Sequence, residues 1–311
     1  MISVLPAACR RDVPLAPLTY CKIGGVARVF CEARSEADVA EAVEWHRAEG
    51  GEAFVLGGGA NVLIDDSREH PLVLKLSEHY NAIEMDGSGG RARIEAGIYT
   101  PRLVREAWTR GWEGFQFLAG VPGSLGGAVR MNAGIRELST WNLVEEVEGI
   151  TWEGERVRIG RAEARPTYRS GNLPPDLIVT AVVCRIVPGE PEAIRAAARE
   201  LSRSRRDTQP LQHPSWGSTF KNPSGASSTG RTAGALIEAA GLKGFRAGDA
   251  QISEKHANFV INLGEASSAD ALACIRAAHQ GVLERFGVRL EPEVRLIGFA
   301  PGDLAFLEAE S

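Results

Sequence analysis

AGVPGSLGGAVRMNAG, residues 119–134, is the stretch on which the reading of the fold turns. It holds five glycines and one proline, too many for the interior of a helix or strand, yet it is too apolar for an ordinary solvated linker. Something must pack closely on it. Glycine carries no Cβ, so its backbone can approach a phosphate and its amide N–H groups can converge on the oxygens. A second segment of this kind, Gly57-Gly58-Gly59, follows an apolar run at residues 53–56. A lone run of three glycines is most often a tight turn. Two such segments, the second long and apolar, point instead to a dinucleotide. Neither has the G-x-G-x-x-G spacing of a Rossmann fold or the G-K-[ST] ending of a P-loop, so the usual NAD and NTP folds are not indicated.

Outward from these segments the chain alternates between two periods. Ser35 and Asp38 resemble a capping box for a helix through Val39, Val43 and His46, which Gly50-Gly51 closes before the strand at 53–56. Ala92, Ile94 and Ala96 alternate as in a half-buried strand, and Thr100 is expected to cap a helix with Pro101 in its first turn and Gly111 past its end. The charge-free span 115–129 reads as a loop, since it is shorter than the ~18 apolar residues of a membrane helix. Residues 144–152, 156–159 and 177–186 read as strands, followed by a helix with Ile194, Ala197, Ala198 and Leu201 on one face. The basic run 203–210 reads as a linker into a further unit. That unit has a short helix closed by Gly241, a strand at 259–263 and a long helix with Leu272, Ile275, His279, Val282 and Phe286 on one face. A terminal strand at 288–297 completes it.

Bulk properties bound the function class. At 311 residues, two or three units with separate cores are expected. Forty acidic against 35 basic residues, a net charge of -5, leave no electrostatic footprint for nucleic acid, so an anionic ligand must be met locally. The cysteines Cys9, Cys21, Cys31, Cys184 and Cys274 are odd in number, scattered and never paired as C-x-x-C. That disfavours a disulfide framework or a metal site, and reduced thiols in the cytoplasm are expected.

Several longer blocks are more specific than these signals. Lys22-Ile23-Gly24-Gly25, LGGGANVLIDD from Leu56, FLAGVPGSLGGAVRMNAG from Phe117, YRSG from Tyr168, GSTFKNP from Gly217, AGALIEAAGLKG from Ala233, SEKHANFVIN from Ser253 and LEPEVRLIG from Leu290 occur in the order found in the MurB reductases. The chain resembles that family over residues 20–298, and blocks longer than six residues make coincidence negligible. The resemblance implies an α+β protein: a two-subdomain FAD-binding fold of the vanillyl-alcohol-oxidase (PCMH) type plus a C-terminal α/β substrate domain. The expected division is 1–76 and 77–202 for the FAD subdomains and 203–297 for substrate, with the tail 298–311 packed on the first subdomain.

The resemblance also implies an FAD-containing, NADPH-dependent oxidoreductase of peptidoglycan synthesis. It would act on a small-molecule sugar nucleotide as a monomer, with no nucleic acid and no membrane as partner. FAD, bound without a covalent link, would lie along Leu56, Gly57, Gly58, Gly59, Ala60, Asn61 and Val62. It would also lie along Gly120, Val121, Pro122, Gly123, Ser124, Gly126, Gly127 and Ala128, with Asn132, Ala133 and Gly134 nearby. Gly24 and Gly25 would let the chain pass near the adenine.

Three residues match the family's catalytic positions. Arg169 would bind the substrate carboxylate and stabilise an enolate, a task suited to a planar, permanently charged fork. Ser218 would donate a proton to carbon. Glu293 would polarise or protonate the enolpyruvyl group, which calls for a partly desolvated carboxyl. Asn222 matches a family substrate ligand and His256, with Lys255 beside it, a family substrate-site position; Tyr168, Arg206 and Lys221 are further substrate-side candidates, and which of Arg205, Arg206, Lys221, Lys255 and His256 meets a diphosphate stays open. Without the resemblance the default for each is plainer: a solvated arginine, a turn serine, a surface glutamate, a structural histidine.

Two departures from the family pattern stand out. YRSG runs into the next strand without the insertion found in some members, as in the shorter type II branch. Trp216 stands where a small residue or cysteine is commoner, so the shape of the site mouth is left open. Two other readings share many of these residues: a flavoprotein oxidase or dehydrogenase of the same fold, and a non-catalytic flavin or sugar-nucleotide binding module. The first has no need of GSTFKNP and EVR, the second none of a proton donor.

Overall fold

The computed structural model describes residues 4–87, 89–135, 138–224 and 230–308. Its helices in chain order are α1 (Glu36–Glu49), α2 (Thr100–Arg110), α3 (Leu125–Arg130), α4 (Arg161–Ala164), α5 (Pro191–Thr208), α6 (Ala233–Ala239), α7 (Ser268–Phe286) and α8 (Pro301–Leu304). Two compact units form. One comprises Met1–Val13, Ala27–Gly58 and Pro71–Arg205, the other Pro14–Val26, Gly59–His70 and Arg206–Ser311.

In the first unit the capping box at the start of α1 is real. Ser35 Oγ accepts from the Asp38 amide at 3.2 Å, and the Asp38 carboxylate accepts from the Ser35 amide at 3.0 Å. A four-stranded sheet runs in the order Cys9–Pro14, Val26–Ala33, Glu69–Leu76, Ala53–Val55, the last two parallel. A five-stranded antiparallel sheet runs Arg156–Gly160, Val144–Thr151, Leu177–Arg185, Arg91–Glu95, Ile83–Met85. Its central strand pairs Val182 with both Val147 and Ile94, and all three are buried. Val29, Leu74, Phe117 and Ile94 belong to one continuous core. Each such side chain contributes roughly 1.5–3 kcal/mol by leaving water.

The second unit has a four-stranded sheet in the order Ser215–Ser218, Phe259–Asn262, Ala250–Ile252, Arg246–Ala247. Helix α7 buries Leu272, Ile275, His279 and Val282, the face expected from its period. Two N-terminal segments join this unit. Val62–Ile64 pairs in parallel with Arg295–Ile297, the Asn262 side chain donates to the Cys21 carbonyl at 3.0 Å, and the Ser268 amide donates to Asp66 at 3.1 Å. In the tail, Gly298 packs on His70 and Phe306 lies edge-on to His279 at 5.8 Å; residues 309–311 lie outside the described ones.

Several expectations need correction. The span 115–129 is not a loop: a 3-10 turn at Phe115–Gly120 is followed by α3. Glycine is tolerated inside α3 because the helix must come close to a strand end. The Gly126 amide donates to the Ala96 carbonyl at 2.9 Å, and a Cβ there would meet Ala96 Cβ at 3.1 Å. Thr100 is the first residue of α2 rather than its cap, and its hydroxyl donates to the Val121 carbonyl. The basic run 203–210 is helical as far as Thr208, since nothing before Pro210 breaks the pattern of α5. The terminal strand shortens to Arg295–Ile297, with an isolated bridge at Pro292. Finally, Cys9 and Cys31 are joined as a disulfide. Spacing along the chain hid this, because the two cysteines lie on strands that are neighbours in the sheet. Cys21, Cys184 and Cys274 are free and buried, and burial pushes the Cys184 thiol up to about 12.

Candidate active site

In the first unit the two glycine-rich segments lie against each other. A Cβ on Gly58 would overlap Gly123, falling 2.7 Å from its carbonyl carbon and 2.8 Å from the Ser124 nitrogen; one on Gly57 would come within 3.1 Å of Ser124 Oγ. Only glycine allows this approach. Gly58, Gly123 and Ser124 are buried, and among the described residues their backbone N–H groups meet no protein acceptor. Buried amides are nearly always paired. Unpaired donors gathered where no Cβ intrudes suit a bound oxyanion, so the chain fits the phosphates of a dinucleotide. A Cβ on Gly120 or Gly127 would meet only side-chain atoms, at 3.6 and 3.7 Å.

The side chain of Asn132 is occupied structurally. It donates to the Thr167 carbonyl at 2.8 Å and accepts from the Trp141 amide at 3.2 Å. Ala133 and Gly134 continue this turn, the former donating to the Ala128 carbonyl at 2.8 Å and the latter pairing with Ser139. Arg169 sits at a two-residue turn closed by Thr167 and Ser170, whose amides donate to each other's carbonyls at 2.8 and 3.1 Å. Its φ of +58° is left-handed, which costs an L-residue roughly 1–2 kcal/mol. The turn is held by Gly171, whose amide donates to the Arg130 carbonyl at the end of α3 (2.9 Å). The Arg169 guanidinium stacks 4.7 Å from the exposed Tyr168 ring.

In the second unit Gly24, Gly25 and Gly59 allow close passes of the backbone itself. A Cβ on Gly24 would meet Leu15 Cβ at 3.1 Å, one on Gly25 would overlap the Arg68 carbonyl, and one on Gly59 the Leu18 carbonyl. Ser218 closes a bulged strand, with Gly217 at φ +88° just before it. Its hydroxyl has no protein partner among the described residues. Antiparallel to it, the Lys221 amide donates to the Glu291 carbonyl at 2.9 Å and the Glu293 amide to the Thr219 carbonyl at 2.8 Å. This ladder brings Ser218 and Glu293, 75 residues apart in sequence, onto neighbouring rungs. The Asn61 side chain fixes it by donating to the Glu293 carbonyl at 3.0 Å.

The remaining substrate-side candidates are more committed. Lys221 pairs with the Glu291 carboxylate, and the Asn222 amide oxygen accepts from the Ala233 amide at the start of α6 (3.1 Å). Lys255 Nζ donates to the Arg206 carbonyl at 2.7 Å. His256 Nδ1 accepts from the Asn258 amide at 3.3 Å, and its ring lies edge-on to Phe259 at 4.8 Å. Burial holds this imidazole below its ordinary range, despite an opposing backbone hydrogen bond. Trp216 is 2% exposed and donates to Thr219 Oγ1 at 3.3 Å, so it fills the core rather than shaping a mouth. One buried charge escaped the sequence reading: Lys75, in the apolar run HPLVLKLS. A lysine at an inward strand position was the available signal.

Comparison with known proteins agrees with this geometry. Residues 27–160 match the FAD binding domain family, and residues 209–297 match the C-terminal domain of UDP-N-acetylenolpyruvoylglucosamine reductase. The fold and its glycine cradle thus define an FAD-binding oxidoreductase of α+β architecture. The chain is 42% identical over 97% of its length to the UDP-N-acetylenolpyruvoylglucosamine reductase of Anaeromyxobacter dehalogenans, covering 89% of that relative. It is 38% identical over 95% of its length to UDP-N-acetylenolpyruvoylglucosamine reductase 2 of Symbiobacterium thermophilum, covering 94% of it. The crystal structure of the MurB reductase from Thermus caldophilus superposes with a TM-score of 0.79 at 33% identity, over 93% of this chain and 99% of that one. The chain belongs to the UDP-N-acetylenolpyruvoylglucosamine reductase family.

Proposed function

We propose that the protein reduces the enolpyruvyl ether of UDP-N-acetylglucosamine to the lactyl ether, UDP-N-acetylmuramate, with NADPH as reductant, in the cytoplasm and as a monomer. The relatives' names support the substrate. FAD would be held without a covalent bond by residues 56–62 and 120–128, with Gly24, Gly25 and residues 132–134 close by. When bound, it would take hydride from NADPH and pass it to the enolpyruvyl carbon. In this reading residues 1–76 and 77–202 serve FAD and residues 203–297 serve substrate, the segments 14–26 and 59–70 reaching into the second compact unit.

Arg169 would grip the substrate carboxylate bidentately and hold it as negative charge spreads onto the enolate. Its turn, pinned by Thr167, Ser170 and Gly171, pre-orients the guanidinium. Ser218 would give its hydroxyl proton to the carbon left electron-rich by hydride addition, while Glu293 polarises the enolpyruvyl group. Asn222, Lys221, Lys255, His256, Arg206 and Tyr168 would bind the sugar nucleotide. The observation that carries the reading is the hydrogen bond from the Glu293 amide to the Thr219 carbonyl, which brings the backbone of half-buried Glu293 next to that of Ser218, whose hydroxyl has no protein partner among the described residues.

Stopped-flow absorbance of the flavin tests it by separating the half-reactions. Ser218→Ala should leave reduction by NADPH near the parent rate and slow reoxidation by the enolpyruvyl substrate by at least about a hundredfold, the usual effect of losing a general acid. Equal slowing of both steps would withdraw the proton-donor assignment. Failure of the parent to be reoxidised by that substrate would withdraw the reaction itself.

A further inference from the structure

Lys75 is 7% exposed, yet it has no carboxylate within ion-pair distance among the described residues. Its ammonium has two neutral neighbours: the Leu76 carbonyl at 3.5 Å and the Tyr99 hydroxyl at 3.3 Å, with the Tyr99 ring centre 5.4 Å away. A buried lysine normally has a counter-ion, because taking an ammonium out of water costs several kcal/mol unless opposite charge replaces the lost hydration.

Two backbone connections place Lys75 beside the glycine cradle. The Leu56 amide donates to the Leu74 carbonyl at 2.8 Å, so Lys75 follows the rung from which the chain turns into Gly57 and Gly58. Tyr99, its ring neighbour, forms a bridge to Ser124, whose amide is one of the unpaired donors. All these residues lie in one compact unit. Among the described residues, a buried lysine with no counter-ion and a set of buried amides with no acceptors flank the same stretch of backbone, and each lacks what an anion would supply.

We propose that Lys75, oriented by the Tyr99 hydroxyl, is the counter-charge for the diphosphate of the flavin dinucleotide held at the glycine cradle. The inference rests on the reading that this cradle holds the diphosphate. The amides supply direction and short hydrogen bonds. Lys75 supplies the formal positive charge that neutral amides lack, and its compact ammonium on a flexible stem suits a point-charge contact to phosphate oxygens.

The test is the retention of FAD by purified holoprotein on serial dilution, followed by flavin fluorescence at several sodium chloride concentrations. Lys75→Met keeps the stem and removes the charge. It should raise the dissociation constant for FAD by about 10- to 100-fold at low salt and flatten its salt dependence, since screening acts on the charge that is gone. Lys75→Arg should stay within about threefold of the parent, which separates lost charge from damaged packing. A Lys75→Met protein with parental affinity would overturn the proposal, as would weakened binding that kept the parental salt slope. Riboflavin, which has no phosphate, probes the premise on its own. If it displaced FAD from the parent protein as well as FAD itself does, the cradle reading would fail; if riboflavin were a poor competitor and Lys75→Met still bound normally, only the role of Lys75 would fail.

Discussion

The cradle of the first unit and the ladder of the second are built from opposite materials. Around Gly58 and Gly123 the useful groups are backbone amides, and the side chains matter by being absent. Around Ser218 and Glu293 the backbone is consumed in hydrogen bonds to neighbouring strands, and the useful groups are side chains held on it. A site made of backbone is therefore sensitive to added bulk. A site made of side chains tolerates changes of similar size and is sensitive to lost function.

The largest effect that would break this contrast is expected at Gly58. Gly58→Val puts carbon where Gly123 and Ser124 already are, and both obstacles are backbone. The variant should purify without bound flavin, destabilised by roughly 1–3 kcal/mol or more through overpacking. Flavin absorbance per protein and a thermal melt check this. A variant that kept full flavin would show that the two segments do not depend on close approach.

Asn61 sharpens the contrast. The family pattern puts it with the cofactor, whereas its side chain holds the Glu293 carbonyl. Asn61→Ala removes one hydrogen bond worth roughly 1 kcal/mol. FAD content should hold, and reoxidation by the enolpyruvyl substrate should slow several-fold in rapid-mixing traces. Loss of flavin instead would mean that the Asn61 side chain, and not only its backbone, serves the cradle.

The smallest effect concerns pH. Burial is the largest cause depressing the imidazoles of His256 and His279 below 6.5, with Lys243 and Arg289 respectively adding to it and backbone hydrogen bonds opposing it. A depressed histidine is neutral in the fold while the unfolded chain takes up a proton. Stability is therefore fully present above about pH 6.5 and declines as pH falls through the folded-state values. The melting temperature should drop by a few degrees between pH 7 and pH 5, and His279→Asn should lessen the drop. A profile flat over that range would mean that these rings are not held neutral.

Legibility differed between the two regions for a related reason. Helix α7 and the capping box of α1 were readable because they depend on neighbours three or four residues apart. Glycine content announced the cradle, since closeness of backbone to backbone leaves a compositional trace. The ladder left almost none. Ser218 and Glu293 became candidates by family resemblance, and their juxtaposition follows from one bridge between Phe220 and Pro292. Helix α3 was hidden by its glycines, the end of α5 by its arginines, and the Cys9–Cys31 link by sheet adjacency.

By itself the sequence determined the family, the α+β class, most helices and strands, and the two glycine segments, because composition, period and long motifs are local properties of the chain. Only the tertiary structure decided that Gly58 rests on Gly123, that residues 14–26 and 59–70 join the C-terminal unit, that Trp216 turns into the core, and that Lys75 is buried with no counter-ion among the described residues. Those facts depend on which distant segments share a core. Burial and the pairing of charge are settled there, by neighbours that sequence separation does not reveal.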